Sequence, residues 1–187
     1  ILFSSFPVAH QVFHTSPSGL SHALNNLRPL LPGHTLVIPH RTSARHLEDL
    51  SEEERADMLA TVVRVQKVLR RVYSPAGKVT AFNVAIQDGV AAGQTVPHLH
   101  IHVIPRRDGD LEPYGGGDVL YEWLESEEGD LNQQYEAAGK GARDNEEKAS
   151  QRRTGSFTPE AHRKNRSTAD MRAEAEWLAR EMAREEE

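Results

Sequence analysis

The chain has 187 residues, no cysteine and a formal net charge of −6, with 37% hydrophobic and 27% charged side chains. That length suits one domain with a peripheral extension, and the missing thiols rule out disulfides, thiolate nucleophiles and Cys-based zinc sites. An acidic balance argues against holding nucleic acid through many phosphate contacts, and no apolar run reaches the roughly 18 residues that cross a bilayer. Neither a nucleic-acid nor a membrane partner is expected, and a cytoplasmic or nuclear setting fits a cysteine-free chain whose start shows no basic-then-apolar leader.

In chain order, residues 20 to 107 alternate apolar segments with turns. Strands are predicted over residues 35 to 39, 79 to 86 and 98 to 104. Between them Ser51 and Glu54 form a capping box, followed by Met58, Val62, Val65, Leu69 and Val72 at steps of four and three. This spacing predicts an amphipathic helix over residues 52 to 73, ended by Ser74-Pro75-Ala76-Gly77. Strands flanking a helix indicate an α+β domain over residues 1 to 125. From residue 127 to 166 the only aliphatic side chain larger than Ala is Leu131, joined by Tyr135 and Phe157. Residues 126 to 166 are therefore expected to be a disordered or flexible insertion, since so little apolar surface cannot offset the entropy of ordering. Met171, Ala175, Leu178 and Met182 then predict a helix within residues 167 to 187 that docks back on the domain.

The chemistry concentrates in His98-Leu99-His100-Ile101-His102-Val103-Ile104. On a strand this alternation puts three imidazoles on one face and Leu99, Ile101 and Val103 on the other, so an aliphatic face packs on a helix while a histidine face opens to a ligand. A metal site fits poorly. Same-face neighbours are about 6.7 Å apart, putting His98 and His102 roughly 13 Å apart, whereas donors on one zinc lie about 3 to 4 Å apart. No protein-held metal is expected. A nucleophilic His100 fits better: imidazole, with an ordinary pKa of about 6.5, is largely unprotonated near neutrality, and flanking histidines can bind phosphate oxygens and protonate a leaving group. His10, His14, His22, His40, His46 and His162 are taken as ordinary satisfied polar residues.

These seven residues resemble the histidine-triad motif, His-φ-His-φ-His-φ-φ with φ hydrophobic. Gln87-Asp88-Gly89 and Gly93-Gln94-Thr95-Val96 resemble the fragile-histidine-triad branch, whose members carry Gln four residues before the first triad histidine. The phosphoramidase branch commonly has Ser where this chain has Thr95. Residues 23 to 29 and 32 to 37 look like that branch's first hairpin, and Phe3, Phe6 and Gln11-Val12-Phe13 are similar to its fungal members. The resemblance spans about residues 2 to 107 and resumes at 171 to 178.

It implies a five-stranded antiparallel sheet with two helices, and a homodimer whose sheets join into ten strands. It further implies hydrolysis of dinucleoside polyphosphates such as diadenosine tri- and tetraphosphate, through a nucleotidyl-His100 intermediate, to AMP plus ADP or ATP. His98 would support the triad, His102 and Gln94 would contact the departing oxygen, and His34 would brace the triad from behind. Gln87 and the backbone of Gly93, Gln94, Thr95 and Val96 would line the phosphate path. Asn26 would bind a ribose hydroxyl, Leu36 would form part of a base pocket, and Phe3 and Phe6 are candidates to stack on adenine. No organic cofactor is implied, while a divalent cation, Mg²⁺ or Mn²⁺, would arrive with the substrate. Tyr121 resembles a tyrosine that is phosphorylated in the family's mobile loop. The alternatives are a nucleoside phosphoramidase and a nucleotide-binding signalling protein; a nucleotidyl transferase would carry Gln in place of His102.

Overall fold

The computed structural model describes residues 1–74, 78–125 and 166–185. The expected insertion at 126–166 falls, apart from Arg166, outside the described residues. A five-stranded antiparallel sheet forms the centre, in the order β3 (Val12–Thr15), β4 (Ser21–Asn25), β5 (Thr35–Pro39), β7 (Ile101–Arg106) and β6 (Ala81–Ile86). All five residues of β4 and of β5 are buried, because both faces of these inner strands are covered.

One face carries α1 (Glu52–Tyr73), whose expected bounds are those observed. Its start is fixed by the capping box: Glu54 N–H donates to Ser51 Oγ at 3.1 Å, and Ser51 N–H donates to Glu54 Oε2 at 2.8 Å. Arg41 binds both oxygens of Glu54 and, as the largest cause, holds its carboxyl down at about 2. Met58, Val62, Val65 and Leu69 pack against Leu99, Ile101 and Val103, each such burial being worth about 1.5–3 kcal/mol. Helix α3 (Thr168–Ala183) is capped by Ser167 and buries Met171, Ala175, Leu178 and Met182; Asn25 Nδ2 donates to the Met171 carbonyl at 3.1 Å.

The structure corrects the sequence-based outline in three places. Strand β7 begins at Ile101, not at residue 98, because the backbone before it is engaged elsewhere: Leu99 N–H donates to the Ala44 carbonyl at 2.9 Å and His98 N–H to that of Val96 at 2.8 Å. Strand β6 begins at Ala81 rather than 79. Besides the two long helices there is a short one, α2 (Val119–Glu125), and a small hairpin of β1 (Leu2–Phe3) and β2 (Phe6–Pro7). Hairpin and α2 lie over the sheet face away from α1. Phe3 and Val8 pack on Leu24, Leu36 and Ile38, while Leu120, Trp123 and Leu124 pack on Ile104. Among the described residues no helix is long and apolar enough to cross a membrane.

Candidate active site

Strand pairing builds the site. Leu24 lies opposite Leu36, and Leu36 opposite His102, so these three form one row across β4, β5 and β7. His100 lies one residue before β7 and His34 one residue before β5, and their rings flank that of His102. The imidazoles of His100 and His102 lie 5.0 Å apart between ring centres, and those of His34 and His102 lie 5.2 Å apart.

The hydrogen-bond partners assign each tautomer, since a carbonyl can only accept and a backbone N–H only donate. His98 Nδ1 accepts from Ser4 N–H at 3.0 Å, and its Nε2–H donates to the Pro39 carbonyl at 3.1 Å. Both nitrogens are thereby committed to backbone. His98 is neutral, its pKa pushed down to about 4 chiefly by burial. Its carbonyl accepts the Nδ1–H of His100 at 2.8 Å. That leaves the lone pair of His100 on Nε2, and burial lowers its pKa as well.

A second relay fixes His102. Leu30 N–H donates to His34 Nδ1 at 3.1 Å, so the His34 proton sits on Nε2, 3.0 Å from His102 Nδ1. His102 Nδ1 therefore accepts and its proton sits on Nε2. This Nε2–H is buried and has no hydrogen-bond partner among the described residues. Burial, with His100 and His34 adding to it, holds the His102 pKa well below 6.5. Side by side stand a neutral nucleophile and a neutral donor, the arrangement that displacement at phosphorus followed by departure of an oxygen requires.

The histidine face is not open, as expected from its pattern, but closed: His98, His100 and His102 are 0%, 2% and 2% exposed. Phe3, fully buried, covers two of them, with its ring centre 5.6 Å from that of His98 and 5.3 Å from that of His100. It packs on the histidines instead of offering a free face to adenine. Phe6, its hairpin partner, is half-buried on the same apolar cluster. Leu36 and Val96 are fully buried in that cluster too, so Leu36 underlies a packed surface rather than an open pocket.

Polar residues expected on the phosphate path are also engaged within the chain. Gln94 Oε1 accepts from Gly89 N–H at 3.0 Å, and its Nε2 donates to the Arg45 carbonyl at 2.8 Å. In this structure its amide joins two loops. Asn26 is buried, with Nδ2 3.2 and 3.4 Å from the His34 nitrogens and Oδ1 accepting from Arg28 N–H at 3.0 Å. Its amide packs against His34 where a ribose contact was expected; with the His34 proton on Nε2, only Nδ1 can accept from it, at 3.4 Å and shared with Leu30 N–H. Gln87 Nε2 donates to the Leu124 carbonyl at 3.3 Å. Gly93 adopts φ +88°, a conformation that favours glycine, and a Cβ there would lie 2.5 Å from Gln87 Nε2, so that amide would have to move aside. Thr95 is half-buried in the same loop. Tyr121 lies on α2, 54% exposed.

Three contributors escaped the sequence analysis. Ser4 N–H and the Pro39 carbonyl hold His98, and being backbone groups they leave no side-chain signature. The third is the contact of His46 Nδ1 with Asp88 Oδ1 at 2.8 Å, which ties the loop before α1 to the loop carrying Gln94. Among the described residues no group of three or more His, Cys, Asp or Glu could hold a metal ion.

The HIT domain family model matches residues 10–109, which contain the triad, His34, Asn26 and the Gln94 loop. The chain belongs to the HIT domain family. Within it the fragile-histidine-triad resemblance holds. A Schizosaccharomyces pombe protein named bis(5'-nucleosyl)-tetraphosphatase [asymmetrical] is 40% identical over 100% of this chain and 97% of its own length. A Saccharomyces cerevisiae bis(5'-adenosyl)-triphosphatase is 36% identical over 95% of this chain and 89% of its own. Among solved HIT folds, the Caenorhabditis elegans NitFhit protein superposes with a TM-score of 0.54 at 36% identity, over 65% of this chain and 27% of that one. Plasmodium falciparum diadenosine triphosphate hydrolase does so with a TM-score of 0.50 at 29% identity, over 75% and 84% of the two chains.

Proposed function

We infer that the chain is a hydrolase of dinucleoside polyphosphates that works through a nucleotidyl-histidine. The observation carrying this is the pair of fixed tautomers: a lone pair on His100 Nε2 and, beside it, a proton on His102 Nε2 that has no partner among the described residues. The activities named for the S. pombe and S. cerevisiae relatives supply the substrate class.

In the first displacement His100 Nε2 forms a bond to an α-phosphorus while the bridging P–O bond breaks. The electron pair goes to the departing ADP or ATP oxygen, to which His102 Nε2–H donates. His100 gains positive charge on becoming substituted at Nε2, and its Nδ1–H, held by the His98 carbonyl, disperses that charge. Water then attacks the same phosphorus, AMP leaves and His100 recovers its lone pair. Entry of the nucleotide requires movement of Phe3, since that ring covers His100. A divalent cation, Mg²⁺ or Mn²⁺, would enter with the substrate's phosphates. Pairing of two chains along β6 is the assembly we favour, because that edge strand leaves Val84 and Ile86 45% and 37% exposed and an unpaired edge invites another strand. A cytoplasmic or nuclear setting fits the cysteine-free composition.

Product analysis tests the function. Diadenosine triphosphate should give AMP and ADP, and diadenosine tetraphosphate AMP and ATP, with ¹⁸O from labelled water appearing in AMP. Two ADP from the tetraphosphate, or label in ATP, would overturn both the register and the covalent intermediate.

A further inference from the structure

The hairpin of β1 and β2 carries two groups that enclose the first triad histidine. Phe3 packs on the rings of His98 and His100, 5.6 and 5.3 Å away between centres. Ser4, the next residue, donates its N–H to His98 Nδ1 at 3.0 Å. The space that Phe3 fills therefore borders both imidazoles, and a nucleotide needs that space to reach His100. Little holds the hairpin together: two residue pairs, Leu2 with Pro7 and Phe3 with Phe6. Among the described residues Ser4 is the one non-glycine with a positive φ, at +56°, a left-handed conformation that disfavours a side chain. A short hairpin with a strained turn is an element suited to give way.

Once Ser4 leaves, His98 keeps a donor on one side and a bare lone pair on the other. Its Nε2–H is committed to the Pro39 carbonyl, which only accepts, and phosphate oxygens only accept as well. The ring cannot offer them an Nδ1–H by changing tautomer, because Nε2 would lose the proton that its Pro39 bond uses. A second proton satisfies both sides and gives a charge-assisted hydrogen bond to phosphate. No Lys or Arg occurs from residue 79 to 105, so the triad segment and the loop before it hold no permanent cation for a polyanionic substrate. The titratable groups acting on His98 are His100 beside it and His22 on β4; from the hairpin and β5 it meets Phe3, Ser4 and Pro39, which do not titrate. Both histidines are held neutral, chiefly by burial, and His22 Nε2 is bonded to His40 Nδ1 at 2.9 Å. The incoming phosphates thus supply the negative charge that draws the proton in.

We propose that the nucleotide displaces the β1–β2 hairpin from His98, which then takes a proton from solvent at Nδ1 and becomes a phosphate-binding cation. The proposal rests on the nucleotide-hydrolase reading and makes substrate binding absorb a proton. The probe is a diadenosine triphosphate analogue with methylene in place of the bridging oxygens. Each of its phosphorus centres has a single, strongly acidic hydroxyl, so the analogue itself does not titrate near neutrality. Calorimetry of binding to the full chain, in buffers of different ionisation enthalpy, counts the protons, and ¹⁵N spectra of the histidine rings locate them. About one proton per bound analogue is expected at pH 6, with affinity rising about tenfold as pH falls from 6 to 5. His98 should pass from the Nε2–H form to the doubly protonated form, and the Ser4 amide proton should exchange faster in the complex. His98→Gln, which keeps an amide donor for Pro39 but cannot titrate, should bind the analogue without proton uptake. Binding without uptake by the unmodified protein, a complex in which His98 stays neutral, or undiminished uptake in His98→Gln overturns the proposal and leaves the hydrolase assignment standing. Absence of both analogue binding and turnover of diadenosine triphosphate overturns the two together.

Discussion

Replacing His34 by Leu tests the relay that sets the proton on His102. The substitution removes the acceptor of Leu30 N–H and the donor to His102 Nδ1 while keeping an apolar side chain in a buried place. Two buried polar groups lose their partners, and at about 1–3 kcal/mol each the fold should lose roughly 2–6 kcal/mol. The catalytic effect is separate and smaller. The lost bias toward the productive His102 tautomer equals one buried hydrogen bond, about 1.4 kcal/mol, which lowers kcat about tenfold. KM should change less, because His34 touches His102 rather than the nucleotide. Steady-state hydrolysis of diadenosine triphosphate, read as AMP and ADP, gives the split, and ¹⁵N shifts of the His102 ring report the tautomer. His34→Gln, able to donate through its amide, should recover part of kcat. A folded His34→Leu protein with kcat within twofold of normal and the proton still on His102 Nε2 would refute the relay.

His100→Ala should abolish turnover and, because that ring is 2% exposed rather than open to solvent, also lower stability by about 1–3 kcal/mol; His100→Asn should lose turnover with less thermal destabilisation, a difference read by calorimetry. Phe3→Ala should lower stability by roughly 3–5 kcal/mol, as for other buried Phe truncations, and raise the exposure of His98 and His100 to chemical modification. Gly93→Ala should cost about 1–2 kcal/mol through its positive φ and push Gln87 off the Leu124 carbonyl, seen as a lower Tm and an altered KM. Stability should be complete above pH 6.5 and fall as pH drops toward about 4, because His98 binds a proton unfolded at about 6.5 but folded only at about 4. That difference amounts to about 3 kcal/mol; a denaturation midpoint flat between pH 7 and 4.5 would contradict it.

Local periodicity made some of this molecule legible in its sequence. The bounds of α1 followed from the Ser51 box and a buried stripe at steps of three and four, since capping and amphipathicity act between residues close in the chain. The aliphatic side of the histidine segment followed equally, because Leu99, Ile101 and Val103 can only be buried together. What the alternation of three histidines could not convey is which nitrogen of each carries a proton or whether water reaches them. Those depend on backbone groups brought from afar: Ser4 N–H lies 94 residues from His98, Pro39 59, and His34 68 from His102. Phe3, too, has no pattern at the chain start that distinguishes covering a triad from stacking on a base. The sequence by itself determined the chemical groups and their common face, while tertiary structure decided their tautomers and burial, because hydrogen-bond partners and neighbouring rings are set by packing across the chain and not by spacing along it.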